Sequence, residues 1–162
     1  MLDQNKHKLF IVQILKDIYH DLELANNLGF KGGTALMLFY DLPRFSVDLD
    51  FNLLDISKTN LIYEKIKKIL LNYGRIKDEA AKHFGLILVL DYGENERNLK
   101  IEISNRRFAD TYEIKDFLGI KIKVMRKPDM FAHKLCALTT RGMLASRDVF
   151  DCWFFMQERT PV

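Results

Sequence analysis

The sequence predicts an α/β (α+β) domain: helices first, a small sheet in the middle and a helical C-terminal segment. Three observations carry this. Apolar residues recur at helical spacing near the start, at Ile11, Ile14, Leu15, Ile18, Leu22 and Ala25. Between residues 45 and 104 the pattern changes to runs that alternate apolar and polar, the period of a strand. After Pro128 helical spacing returns. With 162 residues, 48% of them hydrophobic, the chain is long enough to bury one core. No repeat or linker divides it. One domain is therefore expected over residues 1–162, with a core at about 20–125 and C-terminal helices at about 128–157.

Taken in order, the first helix is expected over about 3–28, stopped by Gly29. Phe30-Lys31 is a short extended segment entering a Gly32-Gly33 turn. Thr34 to Tyr40 reads as a buried two-turn helix, ended by Pro43, which disfavours helix at the residue before it. From Phe45 to Leu53 a strand is expected. Phe45, Val47, Leu49, Phe51 and Leu53 point one way; Ser46, Asp48, Asp50 and Asn52 point the other. Ser57 is placed to cap a helix over about 58–73, closed by Gly74. Arg75 to Gly85 has the charge of a loop, with a helical turn as its alternative. Leu86–Leu90 and Leu99–Ser104 read as a hairpin with a long loop at 92–98. Ile120–Val124 is one more short strand. Pro128 suits the first position of a helix and Asp129 its positive end, running to Thr140 before Gly142. Ser146 caps the last helix, which carries Val149, Phe150, Trp153 and Phe154.

Charge is nearly balanced, with 25 basic and 22 acidic residues. A net +3 permits a nucleic-acid partner without demanding one. Cys136 and Cys152 lie inside apolar runs and are expected as buried, reduced thiols. No CxxC or HxxxH accompanies them, so zinc is not indicated. The first residues carry no apolar signal core, and no apolar run approaches the ~18 residues that span a bilayer. The expected location is the cytoplasm, with no membrane partner.

Chemistry is concentrated between residues 30 and 51. Asp48 and Asp50, at i and i+2 of a strand, share a face with α-carbons ~7 Å apart. Unneutralised, the two anions raise one another's pKa; a bound Mg²⁺ removes that penalty. An ordinary solvated strand face is the plain alternative, although Asp is a poor strand former. Gly32-Gly33 lets an anion approach the backbone at a helix N-terminus, and Thr34 adds a hydroxyl donor or simply caps the helix. No P-loop is present. Glu102 alternates with Ile101 and Ile103, so it faces away from the apolar side. If its strand pairs beside that of Asp48, three carboxylates converge, the arrangement that suits in-line phosphoryl transfer. Pairing of Glu102 with Lys100 is the structural alternative. Lys134 lies in the apolar run 130–138 and needs an acidic partner or a phosphate. Arg147 and Asp151, at i and i+4, read as a surface pair. Arg141 belongs to the same late basic group. His133 has no second His at a metal spacing and is given no ligand role, and neither are His7, His20 and His83.

Together these pieces resemble the AbiEii toxin branch of the nucleotidyltransferase superfamily, which includes the MenT toxins. The matching residues are Gly32-Gly33, Asp48-Leu49-Asp50-Phe51, the strand acid in Ile101-Glu102-Ile103, His-Lys-Leu-x-Ala-Leu at 133–138, and Arg147-Asp148-x-x-Asp151. The resemblance covers about residues 20–155. It implies a polymerase-β-like core, a small mixed sheet flanked by helices, that transfers a nucleotide from an NTP with Mg²⁺, Mn²⁺ being possible. It further implies the toxin of a type IV toxin–antitoxin system, acting on tRNA and partnered by a cognate antitoxin protein. Relatives usually continue with a larger C-terminal helical region than residues 157–162 provide. On this reading Gly32, Gly33 and Ser46 position the triphosphate, with Thr34 beside them. Asp48 and Asp50 hold the metal, and Glu102 is the third ligand or base. Lys134 neutralises phosphate charge. Arg44 and Asp148 support the site, Asp148 by contacting nucleotide or by orienting Lys134. Two rival readings keep the same residues: a protein Ser or Tyr as acceptor, and a shortened domain that binds NTP or antitoxin without turnover. A DxD glycosyltransferase would need a larger sugar-nucleotide domain.

Overall fold

In the computed structural model, which describes residues 3–93, 97–140, 142 and 145–161, the Asp3 carboxylate accepts from the amides of Asn5 and Lys6 and starts α1 (Gln4–His20). Its apolar stripe, Ile11, Ile14, Leu15 and Ile18, is buried. The single helix expected to residue 28 breaks at Asp21. That side chain accepts from Glu23 and Leu24 amides at 3.0 and 3.2 Å and caps a second helix, α2 (Leu22–Asn27). An Asp that bonds its own downstream amides competes with helix continuation. Gly29 is not a stop. It lies in β1 (Leu28–Lys31), where the ring of Tyr112 occupies the space a side chain would need.

The chain continues through α3 (Gly32–Phe39), β2 (Leu49–Leu53), a 3₁₀ turn at Ile56–Lys58 and α4 (Thr59–Leu71). Asp55, not Ser57, caps that turn, accepting from the Ser57 amide at 3.0 Å. The strand expected from Phe45 begins only at Leu49. Four residues lead into it without ladder partners, and buried His7 donates from Nε2 to the Val47 carbonyl at 2.9 Å instead. Then come β3 (Arg75–Lys82), β4 (Gly85–Asp91), β5 (Leu99–Ser104), β6 (Tyr112–Phe117), β7 (Ile120–Met125), α5 (Lys127–Thr140) and α6 (Ser146–Gln157). Ser146 is the first residue of α6 and Ala145 holds the cap position.

The strands form one mixed sheet in the order β3-β4-β5-β2-β1-β7-β6. β2–β5 and β1–β7 are parallel; the other neighbours are antiparallel. Arg75–Lys82, expected as loop or helical turn, is an edge strand. Its side chains are mostly exposed, so no alternation marks it, and charge on an edge discourages pairing with other chains. β6 is the opposite edge, joined to β7 through Leu118 and Gly119, both with positive φ, the geometry of a tight hairpin turn. The sequence pattern assigned it nothing. Cys152 is buried as expected, but Cys136 is exposed, because α5 buries little beyond Met130 and Phe131. Arg141 and the centre of the 92–98 turn lie outside the described residues. Among the described residues no helix is long and apolar enough to cross a membrane.

Candidate active site

Alternation places the acids. Leu49 and Phe51 of β2 pair in register with Ile101 and Ile103 of β5, and all four are buried. Each contributes about 1.5–3 kcal/mol by leaving water, which fixes which way the strands face. Asp50 and Glu102, paired with each other in the same register, must therefore project to the other face. Parallel neighbours are ~4.8 Å apart, so the two carboxylates confront one another. Asp48 enters just before β2. The hydroxyl of buried Thr34 donates to its backbone carbonyl. Thr34 thus neither caps α3 nor lines the cleft; its proton is spent on holding the backbone at Asp48.

The glycine pair makes room for side chains. Gly32 has φ +81°, and a Cβ there would collide with the Asp50 carboxylate. A Cβ on Gly33 would stand 2.7 Å from Ser46 Oγ and 3.0 Å from Arg44 Nη2. Gly32→Ala is accordingly expected to lower stability by about 1–3 kcal/mol and to displace Asp50. A denaturant midpoint equal to that of the unmutated protein would contradict this.

Charge shapes the same floor. Burial, then the fields of Glu102 and Asp48, push the Asp50 carboxyl up to about 6. Lys31 pairs with Asp50 across β1 and β2. Burial lowers its pKa, against the opposing pull of Asp50, Asp110 and Glu102. Lys100 stands 3.0 Å from Glu102 and 3.9 Å from Asp48. Burial would lower its pKa, yet the Glu102 hydrogen bond and the surrounding acids leave it raised. Among the described residues no three His, Cys, Asp or Glu groups are already gathered as a metal cluster. The donor set nevertheless fits a hard divalent cation. It is all carboxylate, and Asp50 stands in register with Glu102 with Asp48 two residues before it, so three acids converge on one floor.

A second cluster closes the cleft. Asp151 is fully buried and takes two hydrogen bonds from Arg44, both 2.6 Å, with Lys134 at 2.8 Å. Lys134 also reaches Asp148 at 3.0 Å. Burial alone would raise the Asp151 pKa; Arg44 and Lys134 override it and hold the carboxyl below its usual range. Asp151 therefore serves Arg44 and Lys134 rather than the expected surface pair with Arg147. That neighbour instead lines the cleft.

The two clusters bound a single cleft of about 1300 Å³. Gly32, Gly33, Arg44, Ser46, Asp48, Asp50, Glu102, Lys134 and Asp148 all line it. Lys31 was not singled out from sequence; Lys100 was named only as a pairing partner of Glu102, and Asp151 only as a motif residue and surface partner of Arg147. Lys100 was legible as the i−2 neighbour of Glu102 on one strand face. Lys31 and Asp151 depend on long-range packing.

Several solved structures resemble this chain, among them these three. One, from H. pylori and assigned as a nucleotidyltransferase, has a TM-score of 0.68 and 25% identity, over 97% of this chain and 70% of that one. JHP933 from Helicobacter pylori gives 0.65 and 25%, over 97% and 68%. TM1012 from Thermotoga maritima, 15% identical with a TM-score of 0.53 over 98% of this chain and 97% of that one, shares the fold. No curated protein matches significantly. Residues 13–162 match the family described as nucleotidyl transferase AbiEii toxin, type IV TA system, and with the acid-lined cleft in place the chain belongs to that family.

Proposed function

We propose that the chain transfers a nucleoside monophosphate from an NTP to a hydroxyl of RNA, tRNA being the expected acceptor, as the toxin of a type IV pair checked by an antitoxin protein. The observation that carries this is the register of Asp50 with Glu102, beside Asp48 and the glycine pair, in one cleft. Asp48, Asp50 and Glu102 would hold Mg²⁺, or Mn²⁺, whose chemistry is to neutralise charge on the triphosphate. Gly32, Gly33 and Ser46 position the phosphates. Lys134, held by Asp148 and Asp151, offers a fixed positive charge, and Arg44 braces Asp151 from the other side. Fixed charges and donors lower the barrier because they need no reorganisation during the reaction.

The aromatic and basic part of the cleft lining supports RNA over protein as acceptor. Phe84 and Phe108 are 54% and 57% exposed there, amid Lys82, Arg97 and Arg106. The Arg106 guanidinium lies 4.6 Å from the Phe84 ring centroid. Exposed aromatics among cations suit stacked bases and a phosphate backbone. The deciding experiment is labelling of a whole-cell lysate with α-labelled NTPs and Mg²⁺, resolved into RNA and protein. Label is expected in RNA, and loss of more than about 10³-fold with Asp48→Ala. Phe84→Ala and Phe108→Ala are each expected to raise the RNA KM about tenfold while leaving NTP binding unchanged. Label in protein would make the acceptor a protein; no label, or equal label with Asp48→Ala, would reject transfer.

A further inference from the structure

We propose that His133 is the base that takes the proton from the acceptor hydroxyl, with Asp110 and Asn52 as its positioning residues. This rests on the transfer reading above and supplies the base that reading does not name.

A chain of hydrogen bonds runs from the acid strand to the cleft wall. Asn52, two residues beyond Asp50 on β2, is 3% exposed. Its Nδ2 donates to Asp110 Oδ2 and to the Tyr112 hydroxyl, both at 2.8 Å. The other Asp110 oxygen meets His133 Nε2 at 2.7 Å, and the Asp110 side chain is 8% exposed. Both carboxylate oxygens are thus aimed by separate partners. A carboxylate only accepts, so Nε2 carries a proton, and in the neutral ring the lone pair is on Nδ1. Among the described residues Nδ1 has no partner. Phe108 packs edge-on against the imidazole, with centroids 4.9 Å apart, and holds the ring plane from the side. The His133 side chain is 29% exposed and lines the same cleft as the three acids. Asn52 shares a strand face with Asp50, so its bond to Asp110 ties the dyad to the acid floor.

A buried carboxylate behind a histidine does two things: it selects the tautomer and stabilises the imidazolium that forms. A latch between the 105–111 loop and α5 would require only the Asp110 contact. It would not require a second ring nitrogen without a partner on a cleft wall. In the step, the acceptor O–H bond breaks and its proton moves to Nδ1. The freed oxygen pair forms a bond to the α-phosphorus. The bond from that phosphorus to the bridging oxygen breaks, and its electron pair leaves with pyrophosphate. The imidazolium then returns the proton to water. Glu102, bonded to Lys100 and facing Asp50, keeps its place among the acids that would hold the metal.

The test compares full-length variants in labelling of total tRNA with NTPs and Mg²⁺. His133→Gln can keep the hydrogen bond to Asp110 but has no basic lone pair. It is expected to retain the melting temperature and NTP KM while kcat falls about 10²-fold. His133→Ala is expected to fall at least as far and to regain activity in proportion to added imidazole. Asp110→Asn should lower kcat without raising the NTP KM. A His133→Gln rate within about threefold of the unmutated protein, or a His133→Ala loss unmoved by imidazole, overturns the assignment while leaving transfer standing. If the unmutated protein labels nothing, transfer fails and the base falls with it.

Discussion

Asp50→Asn is expected to abolish nucleotide transfer and, in the absence of divalent cation, to make the protein more stable at neutral pH. Folding raises the Asp50 pKa from the ordinary 3.8 to about 6. Between those values the folded state binds more protons than the unfolded state, so stability falls as pH rises through this window and stays lowered above it. Two units correspond to about 3 kcal/mol, and asparagine carries no such penalty. Urea unfolding should therefore show Asp50→Asn ahead by about 2–3 kcal/mol at pH 7.5, with the gap nearly closed at pH 4. Added Mn²⁺ should stabilise the unmutated protein and leave the variant unmoved. A gap that does not change with pH would mean that the carboxylates do not crowd one another.

Asp151→Ala is expected to have the largest effect on folding, a loss of about 3–5 kcal/mol. Its carboxylate is fully buried between Arg44 and Lys134, and removing it leaves two cations facing each other without their shared anion. The Asp151 pKa is held down on folding, so its contribution is present above the ordinary carboxylate range and fades as acid protonates the folded form. The deficit should thus be largest near pH 7 and shrink towards pH 3. Lys134 retains Asp148, so Arg44 loses more of its restraint than Lys134 does. A loss below about 1 kcal/mol at pH 7 would show that the cluster is open to water.

The sequence was most informative where burial imposes a period. Alternation through Leu49, Phe51, Ile101 and Ile103 marked both central strands and put Asp50 and Glu102 on the face away from the core. It failed at the sheet edges, where neither face is fully covered and polar side chains carry no period: β3 read as a loop and β6 left no signal. It failed again at Asp21, where a side chain bonding its own backbone ended a helix whose apolar stripe continues past the break.

By itself, then, the sequence determined the α/β class, the order of the central elements and the set of carboxylates available to a phosphate-handling site, because periodicity and residue chemistry are local. Only the tertiary structure decided the pairing of Asp50 with Glu102, the burial of Asp151 between Arg44 and Lys134, and the aim of Asp110 at His133. Those residue pairs are separated by 52, 107 or 17, and 23 positions along the chain. Nothing in a local pattern records which distant strand or helix will arrive beside a given side chain. That is settled when the core closes and each buried charge must find its partner.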